Sequence, residues 1–177
     1  MVIISGPSTI GKNPLIYRAC ELYNLNFVTP CTTREIRQEE KNGNDYIFLL
    51  KEQFQSKIKS REITEWDYCL NNYYGYTFDF PGHKGLITHG LSRMTLRIKE
   101  KYPDKITTVF IMPKNKDMIF KNLRKIYTGN NLLLRETLVE EEICHSNLFD
   151  IVFKRSDSVF DLLNEKKMID ILLNEQI

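Results

Sequence analysis

The chain has 177 residues, 42% hydrophobic and 27% charged, with a formal net charge of +2. That length fits one compact domain with a substantial core and is short for two, while so slight a charge excess points away from nucleic acid and from membrane surfaces. No stretch reaches the roughly 18 uninterrupted apolar residues of a membrane span, and "MVIIS" has no basic n-region of a secretory signal, so a cytoplasmic protein is expected.

The elements follow in chain order. Val2–Ser5 reads as a short buried strand and Gly6–Lys12 as a loop, after which "PLIYRACELYN" has helical apolar spacing with Pro14 tolerated in the first turn. "NFVTP" is a second short strand, and Cys31 to Gly43 is too polar for core. "DYIFLLKEQFQSKIKS" starts as a strand and becomes an amphipathic helix. "EITEWDYCLNNYYGYTF" alternates with aromatic residues, predicting strands about an Asn-Asn turn, with Trp66 and Tyr73 in sheet core. "GLITHGLSRMTLRIKEKYP" predicts a strand and then a helix ending before Pro103, and "KITTVFIMP" is the clearest buried strand. A basic helix over 117–125, a loop at "YTGNN", the helix "LLLRETLVEEEICHS", the strand "FDIVFK" and a final helix complete the chain. Strands alternating with helices predict an α/β fold with a mainly parallel sheet. The four scattered cysteines lack metal-ligand or redox spacing and read as reduced packing residues.

Two stretches carry chemistry. Gly6, Gly11 and Lys12 occupy the G-x-x-x-x-G-K positions after a strand, where backbone N–H groups wrap phosphates and lysine neutralises them. The hydroxyl residue that ligates Mg²⁺ in such loops is replaced by Asn13, and Pro14 removes a further donor, so a plain strand-to-helix turn is the other reading. Arg34 and Arg37 lie three apart in "CTTREIRQEEKNGNDYIF", with Tyr46 nine further on. Two guanidinium forks and a phenol suit a phosphate dianion, against the reading of a solvated charged loop. In "EWDYCLNNYYG", Glu65 can accept from the N1–H and amine of guanine, and Tyr74 adds a second phenol.

The segments "ISGPSTIGK", "TTREIRQEEKNGNDYIF", "EW" and "NYYG" resemble the guanylate kinase family in order and spacing over nearly the whole chain. The resemblance implies a P-loop nucleoside monophosphate kinase fold, with a core (1–30, 81–114, 141–177), a GMP-binding subdomain (31–80) and a helical lid (115–140). It further implies that Gly6, Ser8, Gly11, Lys12 and Asn13 meet ATP phosphates, and that Arg34, Arg37, Tyr46, Glu65, Tyr74 and Gly75 bind GMP. Lys12, Arg124 and Arg135 would serve catalysis. The divergence is of the kind found in homologues from large DNA viruses such as poxviruses.

Departures from the family concentrate in the catalytic half. Pro30 and Tyr76 replace small hydroxyl residues near the base. His89 and Leu91 stand at the family's Asp-x-Asp positions, and a histidine there serves either as a polar contact or structurally. Ile126 and Thr137 stand where lid arginines are expected, leaving Arg135 to substitute, and Lys154 replaces an asparagine near the adenine. The pattern implies a GMP or phosphate pocket beside an eroded ATP–Mg²⁺ half, hence a very weak enzyme, a pseudokinase or a phosphopeptide-binding module with a protein partner. An active kinase using ATP and Mg²⁺ is the alternative. No protein-held metal, nucleic acid or membrane partner is expected.

Overall fold

Alternation along the first strand, β1 (Val2–Ser5), sets the layers of the molecule. Val2 and Ile4 enter one buried cluster and Ile3 another, as expected of a strand covered on both faces. The computed structural model describes residues 1–77, 84–156 and 158–174.

The loop after β1 leads into α1 (Lys12–Tyr23), which ends at Asn24 in the left-handed region. There follow β2 (Asn26–Phe27), β3 (Cys31–Thr32), β4 (Ile47–Phe48) and α2 (Lys51–Lys59), where Gln53 accepts from the Leu50 N–H at the N-terminus. Next come β5 (Glu65–Cys69), β6 (Asn72–Tyr76), β7 (Leu86–His89), α3 (Ser92–Lys101) and β8 (Thr107–Met112). Asn115 caps α4 (Lys116–Arg124) by accepting from the Asp117 N–H. α5 (Gly129–Cys144), β9 (Ile151–Lys154) and α6 (Lys166–Asn174) follow, with 3-10 turns at Ser146–Leu148 and Val159–Asn164.

Two sheets result. The larger is parallel in the order β2-β7-β1-β8-β9, and the smaller runs β4-β3-β6-β5. One face of the parallel sheet packs Val2, Ile4, Val109 and Ile111 against Leu15, Ile16 and Ala19 of α1, Ile119 and Leu123 of α4, and Met168 and Leu172 of α6. The other packs Met1 and Ile3 against Met94 and Ile98 of α3. Tyr76 of the small sheet enters this second cluster fully buried, and its hydroxyl donates to the His89 carbonyl at 2.7 Å.

Several expectations from the sequence need correction. The tight turn is Leu70–Asn71, both with positive φ (50° and 62°), because Cys69 pairs with Asn72. The Asn-Asn pair is therefore split between turn and strand. Trp66 is 37% exposed and lies outside the core, whereas Tyr73 stacks on Phe54 at 5.2 Å. Cys31 and Thr32, in the stretch expected to be too polar for core, form a fully buried strand. The helix expected from Leu132 starts at Gly129. The expected boundary near residue 80 lies outside the described residues.

Candidate functional site

The loop joining β1 to α1 is shaped by close packing. A Cβ on Gly6 (φ 144°) would meet the Ile111 carbonyl oxygen at 2.7 Å, and Gly11 (φ 100°) opens α1 from the left-handed region. Lys12 folds back so that Nζ donates to the carbonyls of Gly6 and Pro7. Burial pulls its pKa down, with Glu142 acting the other way. From the far side, Arg155 donates to the Ile10 carbonyl at 2.9 Å and braces the loop.

A cavity of about 570 Å³ opens between this loop, the small sheet and α5. Gly6, Ser8, Gly11, Lys12 and Asn13 line it, as do Arg34, Arg37, Tyr46, Tyr74 and Arg135. Residues separated by more than a hundred positions thus share one enclosure.

Arg34 is 8% exposed and makes a bidentate pair with Glu40 at 2.8 and 2.9 Å. Burial of Glu40 favours its neutral form, but hydrogen bonds from Arg34 and the Arg37 N–H outweigh it and leave the carboxyl below its ordinary value. Arg37 donates through Nε and Nη2 to the Tyr127 hydroxyl at 3.0 and 2.6 Å. Arg135 lies over the Tyr127 ring, 3.8 Å from its centroid. Burial raises the phenol pKa values of Tyr46 and Tyr74, so both are proton donors at neutral pH.

The position after Lys12 is committed elsewhere. The Asn13 amide donates to Asp45 Oδ1 at 2.7 Å, Tyr17 donates to the same oxygen at 3.0 Å, and the Lys41 N–H takes Oδ2. His89 is 2% exposed, 5.0 Å from the Tyr46 ring and 5.7 Å from Phe27. Burial, aided by the charge of Lys12, pulls its pKa down to about 3.

Three expected site residues lie outside the cavity lining. Strand alternation turns Glu65 and Asp67 toward α3, where Glu65 pairs with Lys101 at 2.5 Å and Asp67 with Arg93 and Arg97. The Glu65 carboxylate is thus paired across to α3 and outside the cavity lining. Arg124 projects from the exposed side of α4 and pairs with Glu136. Gly75 is a packing residue, since a Cβ there would lie 2.8 Å from the Glu65 carbonyl oxygen.

The sequence reading passed over Glu40, Asp45 and Glu142. The first two sit within the arginine–tyrosine segment. Glu142 lies seven residues beyond Arg135, two helical turns along the same face of α5, which was the available signal. It is buried and faces the Ser92 N–H and hydroxyl at 3.4 and 3.3 Å, with burial raising its pKa.

Mg²⁺ fits this donor set poorly. Asp45, Glu40 and Glu142 already have partners, the Asn13 amide is tied to Asp45, and His89 offers nitrogen where a hard cation needs oxygen. Among the described residues, no group of three His, Cys, Asp or Glu side chains gathers to hold a metal.

The chain is similar to known proteins of one family. The family model for guanylate kinase matches residues 1–79. The guanylate kinase of Mycoplasma genitalium is 30% identical over 185 residues, covering 99% of this chain and 75% of that protein. That of Wigglesworthia glossinidia brevipalpis is 32% identical, covering 98% and 87%. The crystal structure of guanylate kinase from Anaplasma phagocytophilum superposes with a TM-score of 0.74 at 23% identity, covering 100% of this chain and 86% of that one. The fold is that of the P-loop nucleoside monophosphate kinases, and by sequence the chain belongs to the guanylate kinase family.

Proposed function

We propose that the cavity binds GMP or another phosphomonoester through Arg34, Arg37, Tyr46 and Tyr74, with phosphoryl transfer to it very slow or absent. The observation that carries the reading is the convergence of these four side chains on the enclosure that Lys12 and the 6–12 loop also line. Two guanidinium groups and two protonated phenols supply charge-assisted hydrogen bonds suited to a phosphate dianion. The loop amides and Lys12 suit the phosphates of a nucleotide such as ATP.

Weak turnover follows from the groups around them. Phosphoryl transfer depends on positioning and on compensating charge at the transferring group. Asn13 and Asp45 satisfy each other, and Arg124 faces away, so any Mg²⁺ would arrive held by the nucleotide's own phosphates. One missing arginine contact of this kind costs on the order of 10³ in rate or more.

A specific observation favours the alternative of an active kinase that uses ATP and Mg²⁺. Arg135 lines the cavity with Lys12, and its Nε is buried without a hydrogen-bond partner. A coupled assay with GMP and ATP·Mg²⁺, run beside Lys12→Ala, separates the readings. Turnover abolished in that variant establishes the kinase and overturns the weak-turnover reading. No turnover above it, together with GMP binding that falls at least about 10-fold in Arg37→Ala, supports the binding function. Binding of a phosphoserine peptide in place of GMP, with the same Arg37 dependence, would assign the interaction-module form. If neither ligand binds, the pocket reading is wrong.

A further inference from the structure

The loop between β1 and α1 contains a strained residue. The Ile10 N–H donates to the Pro7 carbonyl at 3.2 Å, closing a turn with Ser8 and Thr9 at its centre. Thr9 has a φ of 68°, at a turn position usually filled by glycine or asparagine. For a β-branched residue this left-handed conformation is an outlier, because Cβ crowds the backbone carbonyl. Thr9 gains no local bond in return, since its hydroxyl oxygen is buried without a hydrogen-bond partner. Such a conformation persists only where the surroundings over-determine it.

Three contacts hold the turn. The Ile10 side chain is fully buried in the core, and Gly11 packs so close to Val159 that a Cβ would stand 3.2 Å from its Cγ1. These two contacts are apolar and non-directional, so they fix the place of the loop but not the rotation of its peptide planes. The directional contact is that of Arg155, whose Nη1 donates to the Ile10 carbonyl at 2.9 Å. Arg155 is itself tied to the parallel sheet just past β9, its N–H donating to the Met112 carbonyl at 2.8 Å. Ser8, Thr9, Ile10 and Gly11 line the cavity and Arg155 does not, so it grips the loop from behind. In a trans peptide the C=O and N–H point in opposite directions. Holding the Ile10 carbonyl therefore turns the Gly11 N–H away from Arg155.

We propose that Arg155 is a positioning residue, which holds the strained Thr9 turn through the Ile10 carbonyl and so aims the Gly11 N–H at the phosphates of a nucleotide such as ATP. Without that grip Thr9 would favour the right-handed or extended regions by about 5- to 30-fold. ATP would then meet the receptive loop in only a minority of molecules, and its apparent affinity would fall accordingly. The inference rests on the reading that the 6–12 loop and Lys12 take nucleotide phosphates, and it adds the residue that keeps the loop shaped for them.

The test is equilibrium binding of ATP and of methyl phosphate to the wild type, Lys12→Ala, Arg155→Met, Arg155→Lys, Thr9→Gly and the Thr9→Gly/Arg155→Met double variant. Methyl phosphate reports on the arginine–tyrosine pocket, so its affinity should be the same in the wild type and both Arg155 variants. Arg155→Met leaves the apolar anchors in place and should weaken ATP about 5- to 10-fold, the worth of one hydrogen bond from a charged group. Arg155→Lys, which keeps a donor for the Ile10 carbonyl, should recover part of that loss. Glycine takes positive and negative φ about equally, so in the Thr9→Gly background Arg155→Met should weaken ATP by about 2-fold at most. An undiminished loss in the double variant would overturn the proposal and make Arg155 a direct ligand contact. Unchanged ATP affinity in Arg155→Met would overturn it too, as would equal weakening of ATP and methyl phosphate, the mark of general damage to the fold. Wild-type ATP affinity no higher than that of Lys12→Ala would overturn the phosphate-loop reading itself, and this proposal with it.

Discussion

At neutral pH an unfolded chain and the folded protein both hold His89 uncharged, but on acidification they part company. The unfolded imidazole takes a proton near pH 6.5. The folded one resists to about 3, because burial and the Lys12 charge disfavour the imidazolium. Between those values the unfolded state binds more protons, so stability falls as pH drops through the window. By pH 5 the loss from this residue is about 2 kcal/mol, the 1.5 units below 6.5 at 1.36 kcal/mol each. Urea unfolding of the wild type and His89→Gln should show the variant losing about 2 kcal/mol less than the wild type between pH 7 and pH 5. Equal losses would mean that the ring takes a proton in the fold. Glu40, Asp45 and Asp150 add a second phase at lower pH. Burial raises each carboxyl and hydrogen bonds from Arg34, Lys41 and Thr108 more than offset it, so their stabilisation is present above about pH 4 and lost below.

The segments that meet at the cavity differ in how far sequence alone could reveal them. The 6–12 loop was legible because its glycines answer local demands, a positive φ and a carbonyl 2.7 Å from where a Cβ would stand. That Arg34, Arg37, Tyr46 and Tyr74 would line one cavity was legible from order and spacing. The pairing of Glu65 was hidden because its partner is Lys101, thirty-six residues away on α3, which no local pattern announces. The hairpin turn was misplaced by one residue because cross-strand register, not turn composition, put Leu70 in the left-handed region. The α4–α5 connection hides its role similarly, since Tyr127 looks like an ordinary loop aromatic. Its hydroxyl accepts from Arg37 and its ring underlies Arg135, linking the helix pair to the segment between β3 and β4. Tyr127→Phe keeps the ring and removes the acceptor, freeing Arg37. The expected outcome by titration is methyl phosphate binding about 2- to 5-fold tighter, with a stability loss of about 1 kcal/mol at most. Weaker binding would instead make the Tyr127 hydroxyl a ligand contact in its own right.

Across the whole molecule, the two sheets are joined through Tyr76 and through ion pairs between β5 and α3. The ion pairs involve Arg93, Arg97 and Lys101, each about half exposed, and such pairs are worth about 0–1 kcal/mol apiece. Tyr76 is a larger link. Its ring is fully buried among Met1, Ile3, Met94, Ile98 and Ile106, and its hydroxyl reaches the His89 carbonyl. The fit depends on Gly90, where a Cβ would stand 2.7 Å from the tyrosine oxygen. Removing only the hydroxyl, in Tyr76→Phe, should cost about 1 kcal/mol while unfolding stays a single transition. Tyr76→Ala deletes the ring and should cost about 3–5 kcal/mol, the range for a buried aromatic. With that buried link gone, the small sheet should then loosen separately from the parallel one. Urea unfolding would register this as a lower m-value or a split transition between near- and far-ultraviolet probes. A single transition with an unchanged m-value in Tyr76→Ala would place the coupling in the β5–α3 contacts instead, and Asp67→Asn would then be the variant that separates the sheets.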